Sequence, residues 1–420
     1  MAKAIVPNDT GSRVQLYDRV YGEYPWTPVP EATPIPVGTL QGLQDAVANA
    51  QSGDIIEIVW PGTYNLTETL VNAVPNVTVR GHADAAPTDI VLRGAGMDNP
   101  SYGARPHGFY SQQPGLSIEN LTIEQFYFHA VTFGAGATAP TFEKVHMRDC
   151  GQQFLKASAF PAAIDDGVVL DCEFYYTGGR PTTDHDGAGF FYGGFIDVHN
   201  GANWLVRGGR VAEITPTEDE INAVLSANPS AVIYYWSPAF LFWNRSSGTI
   251  IERVQSINCA RFANFGLIEL GGGEYDHTGG IVRNNLIAID SGRLGSAQIA
   301  DADSPINLWD CPGGKALHNT VITNAQLPDA VQGRWSLGLE IDGNLTDNGI
   351  RMRDGATYTG TNNQLDAVPA WFDDPASGDL RLNATGYAAV SSAPRLPDCL
   401  YDVDGTLRAN PTKLGAHVNG

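Results

Sequence analysis

The sequence predicts a solenoid of stacked parallel β-strands, on three observations. One short pattern recurs eight times: an aliphatic run, a polar residue, a turn-tolerant residue, two further positions and a second aliphatic. The 47 glycines and 26 prolines in 420 residues punctuate the chain too often for long helices and suit many short strands. The repeat is also bounded, by a helical pattern before it and a turn-rich segment after it, and a solenoid needs covers for its exposed strand edges.

Taken in order, residues 1–30 are polar and Pro-rich. In TLQGLQDAVANAQSGDIIEIVW, Leu40, Leu43, Val47 and Ala50 keep helical spacing, Gly53 stops the helix, and IIEIVW begins the first strand. The pattern follows around Arg80 (VTVRGHA), Glu119 (LSIENLTI), Glu143 (PTFEKVHM), Asp171 (VVLDCEF), Arg207 (WLVRGGRV), Glu252 (TIIERVQSI), Arg283 (GIVRNNLI) and His318 (KALHNTVI). Spacings run from 24 to 45 residues. The shortest approaches what one coil of three short strands needs, and the longer ones imply loops inserted at a turn. A meander of hairpins has no reason to restart one motif in this way. Asn120, Asn284 and Asn319 share a turn position and predict a hydrogen-bonded ladder, while Arg207, Glu252 and Arg283 read as stacked ion pairs. Residues 214–230 read as a short helical insertion. The expected organisation is one domain: an arm and capping element over 1–58, coils over 59–365 and a C-terminal cap over 366–420.

Composition bounds the function. Hydrophobic residues at 43% support a real core. A net charge of −21, with five lysines, repels nucleic acid and anionic membrane, so neither is an expected partner. No apolar run is long enough to cross a bilayer, and no signal core opens the chain. That leaves a cytosolic protein or one whose signal peptide has been removed. With both ends covered, a monomer is expected. Five cysteines leave at least one unpaired, and none forms Cys-x-x-Cys. Cys150 and Cys172 become disulfide neighbours if they sit on successive coils; the alternative is buried thiols.

The stretch LQDAVANAQSGDIIEIVWPGTY resembles the helix, strand and Pro-Gly-Thr-Tyr that open right-handed parallel β-helix proteins of the pectate-lyase-like superfamily, and GDLRLNATGYAAV with DVDGTLRANPTKLGA resembles the close of its bacterial members. The resemblance covers nearly the whole chain. It implies an all-β, right-handed parallel β-helix, secreted, with a polysaccharide groove along one outward sheet walled by inserted loops. Lyases, glycoside hydrolases, epimerases and binding proteins share this fold, so the site must decide between them.

The strands expected to line the groove are QFLKASAF, GFIDVHNGANW, AFLFWNRSSG, FGLIELGGG and SPINLWDCPGG. His199, Asn244 and Asp310 each lie eight residues before a motif position, and Asp197 shares a face with His199 by strand alternation. They predict one outward column, with Glu269 and Lys156 on the same sheet. Asp197, Asn244 and Glu269 offer hard oxygens, so Ca²⁺ is the expected ion. A β-eliminating lyase needs a neutraliser for the uronate carboxylate, a base and an acid. His199 or Lys156 is the candidate base, and Arg245 or the metal the neutraliser. Trp236, Trp243 and Trp309 are candidate sugar platforms, with Arg180 and Arg261 as candidate substrate contacts. The loop RPTTDHDG adds Asp184, His185 and Asp186 near the groove.

The expected function is therefore a polysaccharide lyase acting on an acidic glycan, with Ca²⁺ assisting. A glycoside hydrolase would use Asp197 with Glu269, or Asp184 with Asp186. An epimerase would reuse the lyase groups, and a carbohydrate-binding adhesin would need none of them.

Overall fold

The computed structural model describes residues 32–99, 107–185, 187–300 and 302–418; the first 31 residues of the expected arm, and Asp186, lie outside them. The backbone is a parallel β-helix, and its coils feed three faces. One face is a ten-stranded sheet paired in parallel throughout. Its strands are β1 (Leu70–Asn72), β2 (Phe109–Ser111), β3 (Val131–Phe133), β4 (Gln153–Ala157), β5 (Gly194–His199), β6 (Phe240–Trp243), β7 (Ala263–Phe265), β8 (Ile306–Trp309), β9 (Asp329–Arg334) and β10 (Gly349–Arg353). The other two faces merge into one sheet because Ser117–Glu124 and Thr141–Arg148 run through the corner between them.

That corner explains the motif. Asn120, Lys144, Asp171, Arg253, Asn284 and His318 all have φ between 49° and 59°, so the turn-tolerant position is a left-handed residue that swings the strand onto the next face. Inside, Val206, Ile251, Val282 and Ala316 stack in register and are buried, as the aliphatic run predicts. Two copies are offset from the reading above. Leu170 pairs with Glu143 and Arg207, and Leu317 pairs with Arg283. Asp171 and His318 are therefore corner residues, not members of the charged column. The predicted ion pairs do form: Glu252 is buried between Arg207 and Arg283, the latter at 2.6 Å.

The asparagine ladder exists and includes Asn319 as expected, but it runs through the residue after the corner, so Asn285 takes the place expected for Asn284. Asn285, Asn319, Asn344 and Asn363 hand hydrogen bonds along the solenoid: each Nδ2 of the first three donates to the next Oδ1, at 2.9, 3.1 and 2.9 Å. Asn319 Nδ2 also donates to the Val282 carbonyl, and its Oδ1 accepts the Asn285 backbone N–H. Asn120 and Asn284 remain at corners.

Helix α1 (Leu40–Ala48) turns Leu43 and Val47 inward; Thr39 caps it by accepting the Gly42 N–H. The inserted helix α2 (Glu218–Ala227) opens on a capping box of Thr217 and Glu220. The C-terminal segment does more than close the end. Phe372, Leu380, Leu382, Val390, Leu414 and Ala416 pack on Leu286, Ala288, Ile322 and Leu345, along the outside of the second face. This explains why Leu286–Ala288 and Thr320–Ile322 are buried on both sides. Arg408, 1% exposed, fastens this clasp by donating to Asn284 Oδ1 and to the Gly415 and Ala416 carbonyls. Of the two readings for Cys150 and Cys172, buried thiols hold and the bridge does not: all five cysteines are buried free thiols, and burial pushes the Cys172 thiol up to about 12.

Replacing Asn319 with leucine strands the Val282 carbonyl and the Asn285 N–H in a dry interior. The expected cost is about 3 kcal/mol, read as a lowered denaturant midpoint by circular dichroism. A change within experimental error would mean that the ladder is incidental to stability.

Candidate functional site

Strands β4, β5 and β6 bring four predicted residues together on the outward face. In register, Lys156 lies opposite Asp197, and His199 opposite Trp243. Neighbouring strands stand about 4.8 Å apart, so side chains on adjacent coils touch. The Lys156 ammonium bonds Asp197 Oδ2. Lys156 Nζ and His199 Nε2 are 3.1 Å apart, and His199 Nε2 is 3.4 Å from Asp197 Oδ1. The Trp243 indole N–H donates to Asp197 Oδ1 at 3.0 Å, and its ring lies 4.5 Å from the His199 ring. Asp197 is 4% exposed. Burial alone would raise its pKa, but the Lys156 charge and then His199 hold it well below the usual carboxylate range.

Arg245 follows two residues after Trp243. Its guanidinium pairs with Glu274 at 2.5 Å and lies 5.1 Å from the ring of exposed Phe160, on the loop after Lys156. Arg245 and Phe160 thus wall the end of the strands that carry the cluster.

The expected column through His199, Asn244 and Asp310 does not form. The turn Asn244–Thr249 is one residue longer than Asn200–Trp204, which shifts Asn244 past the end of β6. Asn244 and Asp310 have φ of 55° and 44° and serve as left-handed turn residues. Asn244 donates its backbone N–H to Asp276 at 2.5 Å, while Asp310 accepts the N–H groups of Leu270 and Asp276. Glu269 stands exposed on the loop that these carboxylates hold in shape. The donors expected for Ca²⁺ do not fit an ion: both Asp197 oxygens are committed to N–H donors, one of them an ammonium, and Asn244 and Glu269 sit on turns outside that network. Among the described residues, the group of carboxylates and imidazoles close enough to share an ion is Asp402, Asp404 and His417, in the clasp, where Arg381 already pairs with Asp404.

Other candidates lie outside the cluster and are engaged within the fold. Arg180 is buried and bonds Glu220 and the Glu213 carbonyl, anchoring α2. Burial would raise the Glu220 carboxyl, but the Arg180 hydrogen bond and charge push it down to about 2. Trp236 packs with Ala260, Ile289, Leu294 and Leu327. Trp309, 4% exposed, lies beside the guanidiniums of Arg261 and Arg334, 5.2 and 5.1 Å from its ring. Of the three tryptophans, Trp243 is the one in the cluster. His185 is buried against Tyr127 and bonds the Met97 carbonyl. A cleft of about 340 Å³ lies elsewhere, between the clasp and the coils, lined by Arg207, Arg253 and Arg381.

Sequence reasoning missed His129. Its Nδ1 lies 2.7 Å from the Gln153 carbonyl, so that nitrogen carries the proton and Nε2 is the basic one. Burial, then His107 and Lys156, hold its pKa well below the usual imidazole value. His107 and His129 stack 5.0 Å apart, and each sits two residues before a strand of the groove sheet. That shared offset is the signal that could have found them.

No protein-family model matches the chain, and no curated protein does. Among solved structures, an alginate lyase from Paenibacillus sp. str. FPU-7 is similar at 14% identity and a TM-score of 0.50, over 79% of this chain and 98% of that one. The pectate lyase Pel9A matches at 12% identity and a TM-score of 0.49, covering 90% of both chains. A rhamnogalacturonan lyase matches at 12% and 0.47, over 84% of this chain and 93% of that one. At such identities the alginate lyase match supports the fold alone, and the two looser matches add no argument to it.

The ion pair makes a stability prediction. Lys156→Met leaves Asp197 as a buried carboxylate without its cation, at a cost of about 3 kcal/mol near neutral pH. Asp197 has a depressed folded-state pKa, so its contribution is present above the unfolded value and lost as pH falls. Without Lys156, burial raises the Asp197 carboxyl, so the gap between the two proteins should already narrow as pH falls toward about 4 and go on narrowing below it, and Lys156→Met/Asp197→Asn should recover stability over Lys156→Met. Thermal melts across pH check both; a gap that widens in acid refutes the account.

Proposed function

We propose that the protein is an exported polysaccharide lyase that cleaves an acidic, uronate-containing glycan by β-elimination at Lys156, His199 and Arg245. The observation that carries this reading is the 3.1 Å separation of Lys156 Nζ and His199 Nε2 on an outward sheet face, above a carboxylate held ionised. In the proposed step, Arg245 neutralises the uronate carboxylate, which acidifies the neighbouring C–H. His199 takes that proton, the electron pair forms the C=C bond, and the C–O bond to the departing sugar breaks. The Lys156 ammonium protonates the leaving oxygen. His199 then holds one proton too many and Lys156 one too few. Their contact lets that proton return directly, which resets the site. Asp197 keeps the two groups oriented, and His129, uncharged, adds no competing cation.

Paired-carboxylate hydrolysis fits less well. A glycosidase pair needs one protonated and one free ionised carboxyl across the scissile bond, and both Asp197 oxygens are already bonded to N–H donors while Glu269 stands on a turn outside that network. Asp186, of the other candidate pair, lies outside the described residues. Because the oxygen donors do not fit Ca²⁺, no step runs through a metal.

An ultraviolet time course on polygalacturonate, alginate and other acidic polysaccharides, with reducing ends counted in parallel, tests the proposal. Unsaturated product should appear, persist with chelator present, and fall about a hundredfold or more in His199→Ala and Lys156→Met. Reducing ends without ultraviolet absorbance would overturn the elimination, and loss of activity on chelation would restore a metal.

A further inference from the structure

Beyond the cluster, the groove sheet carries a second concentration of polar groups whose bonding is incomplete. Asn264 on β7, Asn307 on β8 and Gln332 on β9 stand side by side in register. Their strand neighbours Ala263, Phe265, Ile306, Leu308 and Val331 face the core, so alternation turns the three amides outward. An outward side chain of this kind is ordinarily wet, yet all three are 0% exposed. Asn307 Nδ2 donates to Asn264 Oδ1 at 3.0 Å, leaving Asn264 Nδ2 and Asn307 Oδ1 without partners. Asn307 Nδ2 also donates to the Ser304 carbonyl at 2.6 Å, so exchanging the ends of the two amides would set oxygen against oxygen there and would still leave one donor and one acceptor over. Both polar atoms of Gln332 are likewise unpartnered, as is the Trp309 indole N–H.

Buried polar atoms without partners are rare and costly, and each calls for an explanation. The cover over these amides supplies one. Arg261 stands before the start of β7, and Trp309 ends β8. Their side chains reach toward each other from opposite ends of the outward face and meet 5.2 Å apart, across the level of Asn264 and Asn307. Asp303 holds Arg261 there, and Arg334 braces Trp309 from β9. Around the amides, therefore, lie an aromatic face and two guanidiniums, in a chain whose net charge is −21.

Resting on the lyase reading, we propose that Asn264, Asn307 and Gln332 form the floor of a covered subsite for a sugar acid, which the substrate opens by displacing Arg261 from Trp309. The amides take vicinal hydroxyls, the freed indole face takes the C–H surface of the ring, and Arg334 takes the carboxylate. The floor lies two to four coils on from β5, or about 10 to 20 Å, a distance that a short oligosaccharide spans. The polymer then runs from the cluster toward the C-terminal coils, and longer substrates bind more tightly because they alone reach the floor.

The test is calorimetric titration of a His199→Ala protein with galacturonate and alginate oligomers of graded length, repeated in that background with Asn307→Leu and with Gln332→Met. Affinity should rise once the oligomer is long enough to span β5 to β8. Each added substitution should weaken the longer oligomers about tenfold, the loss of one hydrogen bond, and leave the shorter ones alone. The two substitutions guard against one variant failing to fold. A length dependence that survives both, a complex in which ordered waters alone occupy the amides, or no binding by any oligomer would overturn the subsite. If the length dependence is lost as expected while the native enzyme yields no unsaturated product, the subsite stands and the elimination falls.

Discussion

Parallel backbone hydrogen bonding between successive coils fixes which side chains share a level, and the chemistry here depends on that. Lys156 meets Asp197 because β4 and β5 pair at those residues, with no loop geometry in between. Asp197 can stay ionised at 4% exposure because that pairing delivers an ammonium to it, and Trp243 arrives from β6 to occupy its other oxygen. A scaffold with strands set about 4.8 Å apart places charged groups rigidly and at little entropic cost. It also punishes slippage, since a shift of one residue sends a side chain to the opposite face.

That sensitivity separates what the sequence disclosed from what it withheld. The coils, α1, α2 and the Arg207–Glu252–Arg283 column follow from residue type and period, both written in the chain. Asp197 and His199 were legible because strand alternation within one coil needs no knowledge of the next, whereas Lys156, one coil earlier, was legible only as a member of the same sheet. The column through Asn244 and Asp310 failed because it required counting across turns, and Asn244–Thr249 carries one residue more than its counterpart. Asp171 and His318 misled for a related reason: at a left-handed corner, a polar residue looks like the end of the preceding strand. His129 carries only its offset from the strand as a signal in the chain, because the contact that fixes its tautomer comes from Gln153, on the next coil.

The placing of the cations bears on how the proposed acidic substrate would meet a chain of strongly negative charge. Arg180, Arg207, Arg283 and Arg408 are engaged within the fold, by carboxylates or by carbonyls. Lys156, Arg245 and Arg334 stand on or beside the outward face of one sheet, each against a carboxylate. Long-range repulsion screened by salt then acts on approach, while contact is governed by these few groups at short range.

The clasp has a consequence for the order in which the protein can mature. Leu286, Ala288, Ile322 and Leu345 are covered by Phe372, Leu380, Leu382, Val390 and Leu414, and the Arg408 fastening reaches back to Asn284. A chain emerging amino end first can wind its middle rungs well before those covering residues exist. In that interval one flank of a finished stack is bare and apolar, with its neighbouring corners lacking their last hydrogen bonds. The window for sticking to another chain is therefore widest late in synthesis, and it is the arrival of Arg408 that shuts it.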